Sequence, residues 1–164
     1  MNIYLRFLGG GLVMVAALIA SREYSAYAQK RLEQYRGLIE FLSHAEGMIS
    51  RFLASGDGLL TGFKNKALED TGFLSALREG KGFSESFAMC ESKFAFSEEQ
   101  KALIKKFCSD VGRGYKESEA LTFACFRKTL ESEMEREKET LDKSVKVARA
   151  LLLGGALAFL IVVI

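Results

Sequence analysis

Two stretches without charged residues lie near the ends of the chain. Residues 7–20 read FLGGGLVMVAALIA and residues 150–164 read ALLLGGALAFLIVVI. A membrane-spanning helix needs about 20 mostly apolar residues, because each residue advances about 1.5 Å across about 30 Å of hydrocarbon. With their flanking residues included, these stretches predict transmembrane helices over residues 3–21 and 145–164. The remaining residues, 22–144, are predicted to form a helical domain outside the membrane.

The first predicted helix continues beyond the apolar stretch. From Leu32 to Phe52 the apolar residues recur at steps of three and four, which places them along one face of a helix. They are Leu32, Tyr35, Leu38, Ile39, Leu42, Ala45, Met48, Ile49 and Phe52. No proline or glycine pair interrupts residues 12–36, so the pattern predicts one helix of roughly fifty residues.

Glycine-rich turns divide the middle of the chain into shorter helices. We expect breaks at Gly56–Gly58, Gly80–Gly82 and Gly112–Gly114, since glycine supplies the backbone conformation of a helix end. Ser97 and Gln100 have the spacing of a capping box, which predicts a helix start. The predicted helices between the breaks cover residues 58–68, 71–79, 83–92 and 97–111. A last long helix contains Phe123 and runs on into the second apolar stretch.

The composition favours an all-α fold. The chain has no proline and no tryptophan, and continuous helices tolerate such a composition best. We therefore expect a six-helix bundle whose long first and last helices continue into N- and C-terminal transmembrane segments.

The basic residues predict the orientation in the membrane. Arg22, Lys143, Lys146 and Arg149 flank the apolar stretches on the side of the middle domain, and only Arg6 lies on the outer side. Loops rich in Lys and Arg stay in the cytoplasm, and such side chains can reach the headgroups from helix ends. We expect these four residues to act as interface anchors, with the middle domain cytoplasmic and both tails facing away.

Small residues suggest how the two spans pack together. Ala150, Gly154 and Ala158 are four residues apart, so they share one face of the second span. Spacing of this kind lets another helix approach closely. We expect the first span, at Gly9 and Ala17, to be that helix.

The first segment has a second interpretation as a cleaved secretory signal. Arg6 would be the charged start, residues 7–20 the apolar core, and Ala26–Ala28 a small-x-small cleavage site. The mature chain would then begin at Gln29 and be an exported helical protein tethered by its C-terminal span. The N-terminus of the mature chain separates the two interpretations.

No motif for catalysis is complete. Gly80–Lys81 resembles the end of a phosphate-binding loop, but Ser75 stands where glycine is required and Gly82 where Ser or Thr would bind magnesium. His44, the single histidine, has no nucleophile and no cysteine at helical spacing. We therefore expect no enzymatic activity and no catalytic, cofactor or metal site.

The charge and the cysteine content argue against nucleic-acid binding and against a cysteine metal site. The formal net charge is +2, from 23 basic and 21 acidic residues, so no strong field favours nucleic acid. Three cysteines, an odd number without metal-type spacing, indicate reduced thiols. The first observation argues against nucleic-acid binding, and the second favours the cytosol.

The arrangement resembles the stage III sporulation protein AB family. The resemblance is carried by R-L-x-x-Y-R-x-L-I-x-F-L at Arg31–Leu42, by F-x-x-x-V-G at Phe107–Gly112, and by a charged helix that enters an apolar segment containing Gly154-Gly155. That family is similar to the inner-membrane platform protein of type II secretion and type IV pilus machines, whose cytoplasmic domains are six-helix bundles.

The resemblance also implies a location and partners. It implies a scaffold in a channel apparatus between mother cell and forespore, seated in the outer forespore membrane beside a secretion-type ATPase and other membrane channel components. Within that expectation, Lys81 and Arg113 at glycine-rich turns are candidate donors to an acidic surface of the ATPase. An unrelated membrane-bound adaptor remains an alternative, and whether the chain forms a homo-oligomer stays open.

Overall fold

The structure is a computed structural model that describes residues 3–52, 58, 60, 62–111 and 116–163. The described residues are mostly helical and contain no strand, which confirms the all-α class. Six α-helices are described: α1 Ile3–Phe52, α2 Lys66–Thr71, α3 Phe73–Arg78, α4 Phe83–Cys90, α5 Glu98–Asp110 and α6 Lys116–Val163. A short 3-10 turn, Glu91–Lys93, follows α4.

The first and last helices are the long elements of the fold. α1 has 50 residues and α6 has 48, so the prediction of two continuous helices is confirmed. The chain divides into two compact units. One contains Met1–Gln29 with Glu137–Ile164, and the other, which we call the bundle, is Lys30–Arg136.

The predicted membrane spans are not supported by the described residues. Over the described residues, no helical segment combines the length and the apolar character needed to cross a bilayer.

The second predicted helix is placed differently from the sequence expectation. We expected residues 58–68, but α2 begins at Lys66 because Asn65 caps it, its Oδ1 accepting from the Leu68 N–H at 3.2 Å. The next helix, expected at 71–79, is shortened to α3 because Gly72 adopts a left-handed conformation with φ of 86°. Asn65 and Gly72 therefore set the helix boundaries here.

The two following helices agree better with the prediction. α4 begins at Phe83 as expected but ends at Cys90, where the 3-10 turn replaces its last residues. The capping box of α5 is confirmed. The Gln100 N–H donates to Ser97 Oγ at 3.3 Å, and the Ser97 N–H donates to Gln100 Oε1 at 2.9 Å.

Phenylalanine rings form the centre of the bundle. Phe41 of α1 contacts Phe73 at 6.1 Å and Phe83 at 5.9 Å between ring centroids. Phe83 in turn contacts Phe123 of α6 at 6.0 Å, and Phe107 of α5 contacts Phe123 at 5.2 Å. Edge-to-face aromatic pairs contribute about 0.5–1.5 kcal/mol beyond the area that they bury. The ring network therefore links α1, α3, α4, α5 and α6 in one core.

Side-chain hydrogen bonds of Gln34 and Arg31, which we call the Gln34 staple, hold the connection between α4 and α5 against α1. Gln34 is 1% exposed, and its Nε2 donates to the Lys93 carbonyl at 3.2 Å while its Oε1 accepts from the Ala95 N–H at 2.7 Å. Arg31 Nε donates to the Ala95 carbonyl at 2.7 Å. These bonds pair backbone groups that would otherwise be buried without partners.

Candidate interaction surfaces

Lys81 lies in the turn that joins α3 to α4. Gly80 has a φ of 79°, a left-handed conformation suited to glycine, and so ends α3. Lys81 Nζ is 2.7 Å from Glu79 Oε2. This hydrogen bond is the main reason why the pKa of Lys81 is raised, with the charges of Glu79 and Glu85 adding to it. Glu79 therefore already neutralises part of the Lys81 charge within the turn.

Contacts along α1 place this turn within the bundle. Gln34, near the start of the bundle part of α1, holds the loop after α4. Phe83, the first residue of α4, contacts Phe41 instead, two turns further along α1. The Lys81 turn therefore lies at the end of α4 away from the Gln34 staple. The partner contact expected at Lys81 remains a prediction. Arg113, the second expected donor, lies outside the described residues.

The expected membrane anchors are described in part. Arg22, Lys143 and Lys146 are exposed, as snorkelling side chains would be, but exposure alone does not distinguish an anchor from a solvated residue. The side chain of Arg149 lies outside the described residues. These assignments remain predictions.

The small residues proposed for helix packing are also described in part. Ala150 and Gly154 are exposed, and among the described atoms none lies within 4 Å of a Cβ placed at Gly154. The surroundings of Gly9, Ala17 and Ala158 lie outside the described residues. Packing at this face remains a prediction.

A groove of about 390 Å³ runs between α5 and α6. Its floor is the stacked pair Phe107 and Phe126, whose ring centroids are 4.0 Å apart with planes at 5°. Leu121 lies at its edge and is 65% exposed. Lys106 and Asp110 also line it, and both are exposed. The groove could not be predicted from the sequence, because it depends on how the two helices pack.

A second groove, between α1 and α2, is polar. It has a volume of about 450 Å³ and is lined by Glu33, Arg36, Asn65, Lys66, Ala67 and Asp70. At its edge Asn65 Nδ2 donates to Glu40 Oε2 at 2.9 Å. Its charges are of both signs, so they do not select an anionic or a cationic ligand.

Arg127 ties the two long helices together inside the bundle. Its Nε lies 3.3 Å from Glu46 Oε2 on α1, and its Nη1 lies 2.7 Å from Glu131 Oε1 on α6. The hydrogen bond to Glu131 is the main cause of a raised Arg127 pKa, and Glu46 adds to it. The role of Arg127 could not be predicted from the sequence, because the pairing with Glu46 joins distant parts of the chain.

The three cysteines differ in accessibility. Cys90 and Cys108 are buried and Cys125 is exposed. Burial raises the pKa of Cys90 to about 11 and that of Cys108 to about 12, so both remain protonated at neutral pH. Over the part of the chain that the structure describes, no three metal-ligating side chains come together.

Comparison with known proteins identifies the family. A family model described as stage III sporulation protein AB matches residues 6–164. Searches of the curated proteins and of the solved structures found no match. Because the family model covers nearly the whole sequence, from Arg6 onward, the chain belongs to the stage III sporulation protein AB family.

Proposed function

We propose that the chain fulfils the stage III sporulation role implied by its family as a non-enzymatic membrane platform. The platform would belong to a secretion-like channel complex between mother cell and forespore. In this proposal residues 3–21 and 145–164 anchor the protein in the outer forespore membrane, and the bundle faces the mother-cell cytoplasm. A secretion-type ATPase binds the bundle, and other channel components bind the membrane part.

The observation that carries the proposal is the division of the chain into two units that share the two longest helices. The charge-free stretches at both ends of the sequence belong to one unit, while the aromatic core lies in the other. α1 and α6 contribute residues to both units. A force applied to the bundle can therefore pass along continuous helices toward the ends of the chain.

Contacts inside the bundle support its use as a rigid body. The Arg127–Glu46 pair joins α6 to α1, and the Gln34 staple joins α1 to the loop before α5. Phe83 contacts rings on both long helices, Phe41 and Phe123. A partner that binds the turn before Phe83 would therefore act on both helices at once.

The test is the binding of the ATPase to variants of the turns. We expect Lys81→Glu combined with Arg113→Glu to weaken co-purification of the ATPase with the full chain by about tenfold, since like charges oppose an acidic surface. The matched control is Lys128→Glu combined with Lys105→Glu, which makes the same change in charge at two exposed lysines of the bundle.

Circular dichroism shows whether each variant keeps its helicity. Unchanged ATPase binding by the turn variant would contradict the proposed contact, and an ATPase that does not bind the parent chain would contradict the platform role.

A further inference from the structure

The groove between α5 and α6 exposes apolar surface that the described residues of the bundle leave uncovered. Among the described residues of Lys30–Arg136, only Met89 and Leu121 are large hydrophobic side chains that are mostly exposed, at 59% and 65%. Leu121 borders the groove and Met89 does not line it. Beside Leu121, the stacked rings of Phe107 and Phe126 form an apolar floor.

The charged residues of the groove make it complementary to itself. Lys106 and Asp110 are four residues apart on α5, so they lie on one side of the helix about one turn apart. A two-fold axis perpendicular to α5 and midway between them would bring each Lys106 opposite the Asp110 of a second copy. Such a two-fold interface uses the same patch on both molecules.

The balance of charge also argues against a partner of one sign. The groove lining carries one basic and one acidic side chain, Lys106 and Asp110, so neither an acidic nor a basic surface would be preferred. A second copy satisfies both charges and supplies Leu121 as an apolar side chain for the opposite groove. Apolar anchors in a desolvated pocket, surrounded by polar groups, are the usual centre of an interface.

We propose that the α5–α6 groove is a self-association surface, in which Leu121 of each copy enters the groove of the other and Lys106 pairs with Asp110 across a two-fold axis. This inference does not depend on the platform role. It requires only the bundle that the structure describes.

The first test is sedimentation of the full chain in detergent micelles over a range of concentrations. We expect a monomer–dimer equilibrium that Leu121→Glu weakens by about tenfold or more, because a charge would be buried at the centre of the interface. Met89→Glu is the matched control, since it places the same charge on an equally exposed apolar residue outside the groove. It should leave the dimer unchanged.

A charge exchange tests the geometry of the pair. Lys106→Glu and Asp110→Lys should each weaken the dimer, because like charges would then face each other across the axis. The double variant should restore it. Each substitution is at an exposed position, so circular dichroism should show unchanged helicity.

Cys125 provides an independent readout within the same groove. It lines the groove and is the exposed cysteine of the three. A short bismaleimide should therefore cross-link two copies of the full chain, and Cys125→Ser should abolish the product.

Three outcomes would overturn the proposal: a chain that stays monomeric at every concentration, a dimer that Leu121→Glu leaves intact, and a double charge variant that fails to restore the dimer lost in the single variants.

Discussion

Gly37 is the residue on which the contact between α1 and α2 depends. A Cβ at this buried position would lie 2.7 Å from Asn65 Oδ1 and 3.1 Å from Leu68 Cγ. Asn65 cannot move away freely, because the same oxygen caps α2 and its Nδ2 donates to Glu40. Leu68 is fully buried and has no room to shift. Glycine is therefore required here for close approach, although it weakens a helix.

Substitution of Gly37 tests this contact. We expect Gly37→Ala to lower the free energy of unfolding by about 1–3 kcal/mol, because the overpacking outweighs the better helix propensity of alanine. Gly47→Ala is the control on the same helix, where no described atom lies within 4 Å of the added Cβ. It should stabilise the protein by up to about 1 kcal/mol. Chemical denaturation followed by circular dichroism measures both, and equal effects would contradict the packing.

Residue-level contacts were the least predictable from the sequence. Gln34 and Arg31 lie on a helix that the apolar pattern identified, but the pattern did not show that both bind the loop near Ala95. Their partners are about sixty residues away in the sequence, and periodicity reports only which face of its own helix a residue occupies. The burial of Gln34 therefore became visible only in the tertiary structure.

Among the short helices, side-chain caps decide where α2 and α5 begin. Ser97 caps α5 through its hydroxyl and completes a reciprocal pair with Gln100. Asn65 caps α2 through its side-chain amide oxygen, Oδ1, which accepts from the Leu68 N–H. α4, in contrast, begins after Gly82 without a side-chain cap. Side-chain caps satisfy backbone N–H groups that have no partner inside the helix.

Removal of the Ser97 hydroxyl should destabilise α5. We expect Ser97→Ala to lower the free energy of unfolding by about 0.5–2 kcal/mol. Ser75→Ala, at an exposed position inside α3, is the control and should change stability by less than about 0.5 kcal/mol. Amide hydrogen exchange at Gln100 should accelerate only in the first variant. Equal exchange in the two variants would show that the cap does not hold α5.

Helix boundaries were predictable where the capping chemistry was recognised. The Ser97–Gln100 spacing gave the start of α5 correctly. The prediction of a helix over residues 58–68 was wrong, because it relied on Leu60 and Phe63, whose spacing is also that of one helix face. Phe63 instead packs its ring on Phe41 from the segment before α2, at 5.4 Å. Apolar spacing over a few residues cannot distinguish a helix from a loop that contributes to the core.

At the scale of the whole molecule, two long helices and a compact middle were predictable. The absence of proline and the long apolar periodicity led to α1 and α6, because nothing in those segments ends a helix. The α5–α6 groove was not predictable, since its floor depends on the stacking of Phe107 on Phe126. The family shows a role in stage III of sporulation, and the platform role is our proposal, supported by the division into two units.

The proposed topology places the bundle in the cytoplasm and both ends of the chain in the membrane. The most direct test places single cysteines in a chain with Cys90→Ala, Cys108→Ala and Cys125→Ser. One variant carries Lys81→Cys in the bundle and a second carries Asn2→Cys in the N-terminal tail. Circular dichroism of the parent variant confirms that it remains helical.

The variants are produced in vegetative cells, so that the plasma membrane is the membrane tested. Intact cells are then treated with a thiol reagent that cannot cross membranes. We expect Lys81→Cys to be labelled only after the cells are lysed and Asn2→Cys to be labelled in intact cells. Labelling of Lys81→Cys in intact cells would place the bundle outside, where no cytoplasmic ATPase reaches it, and would contradict the account.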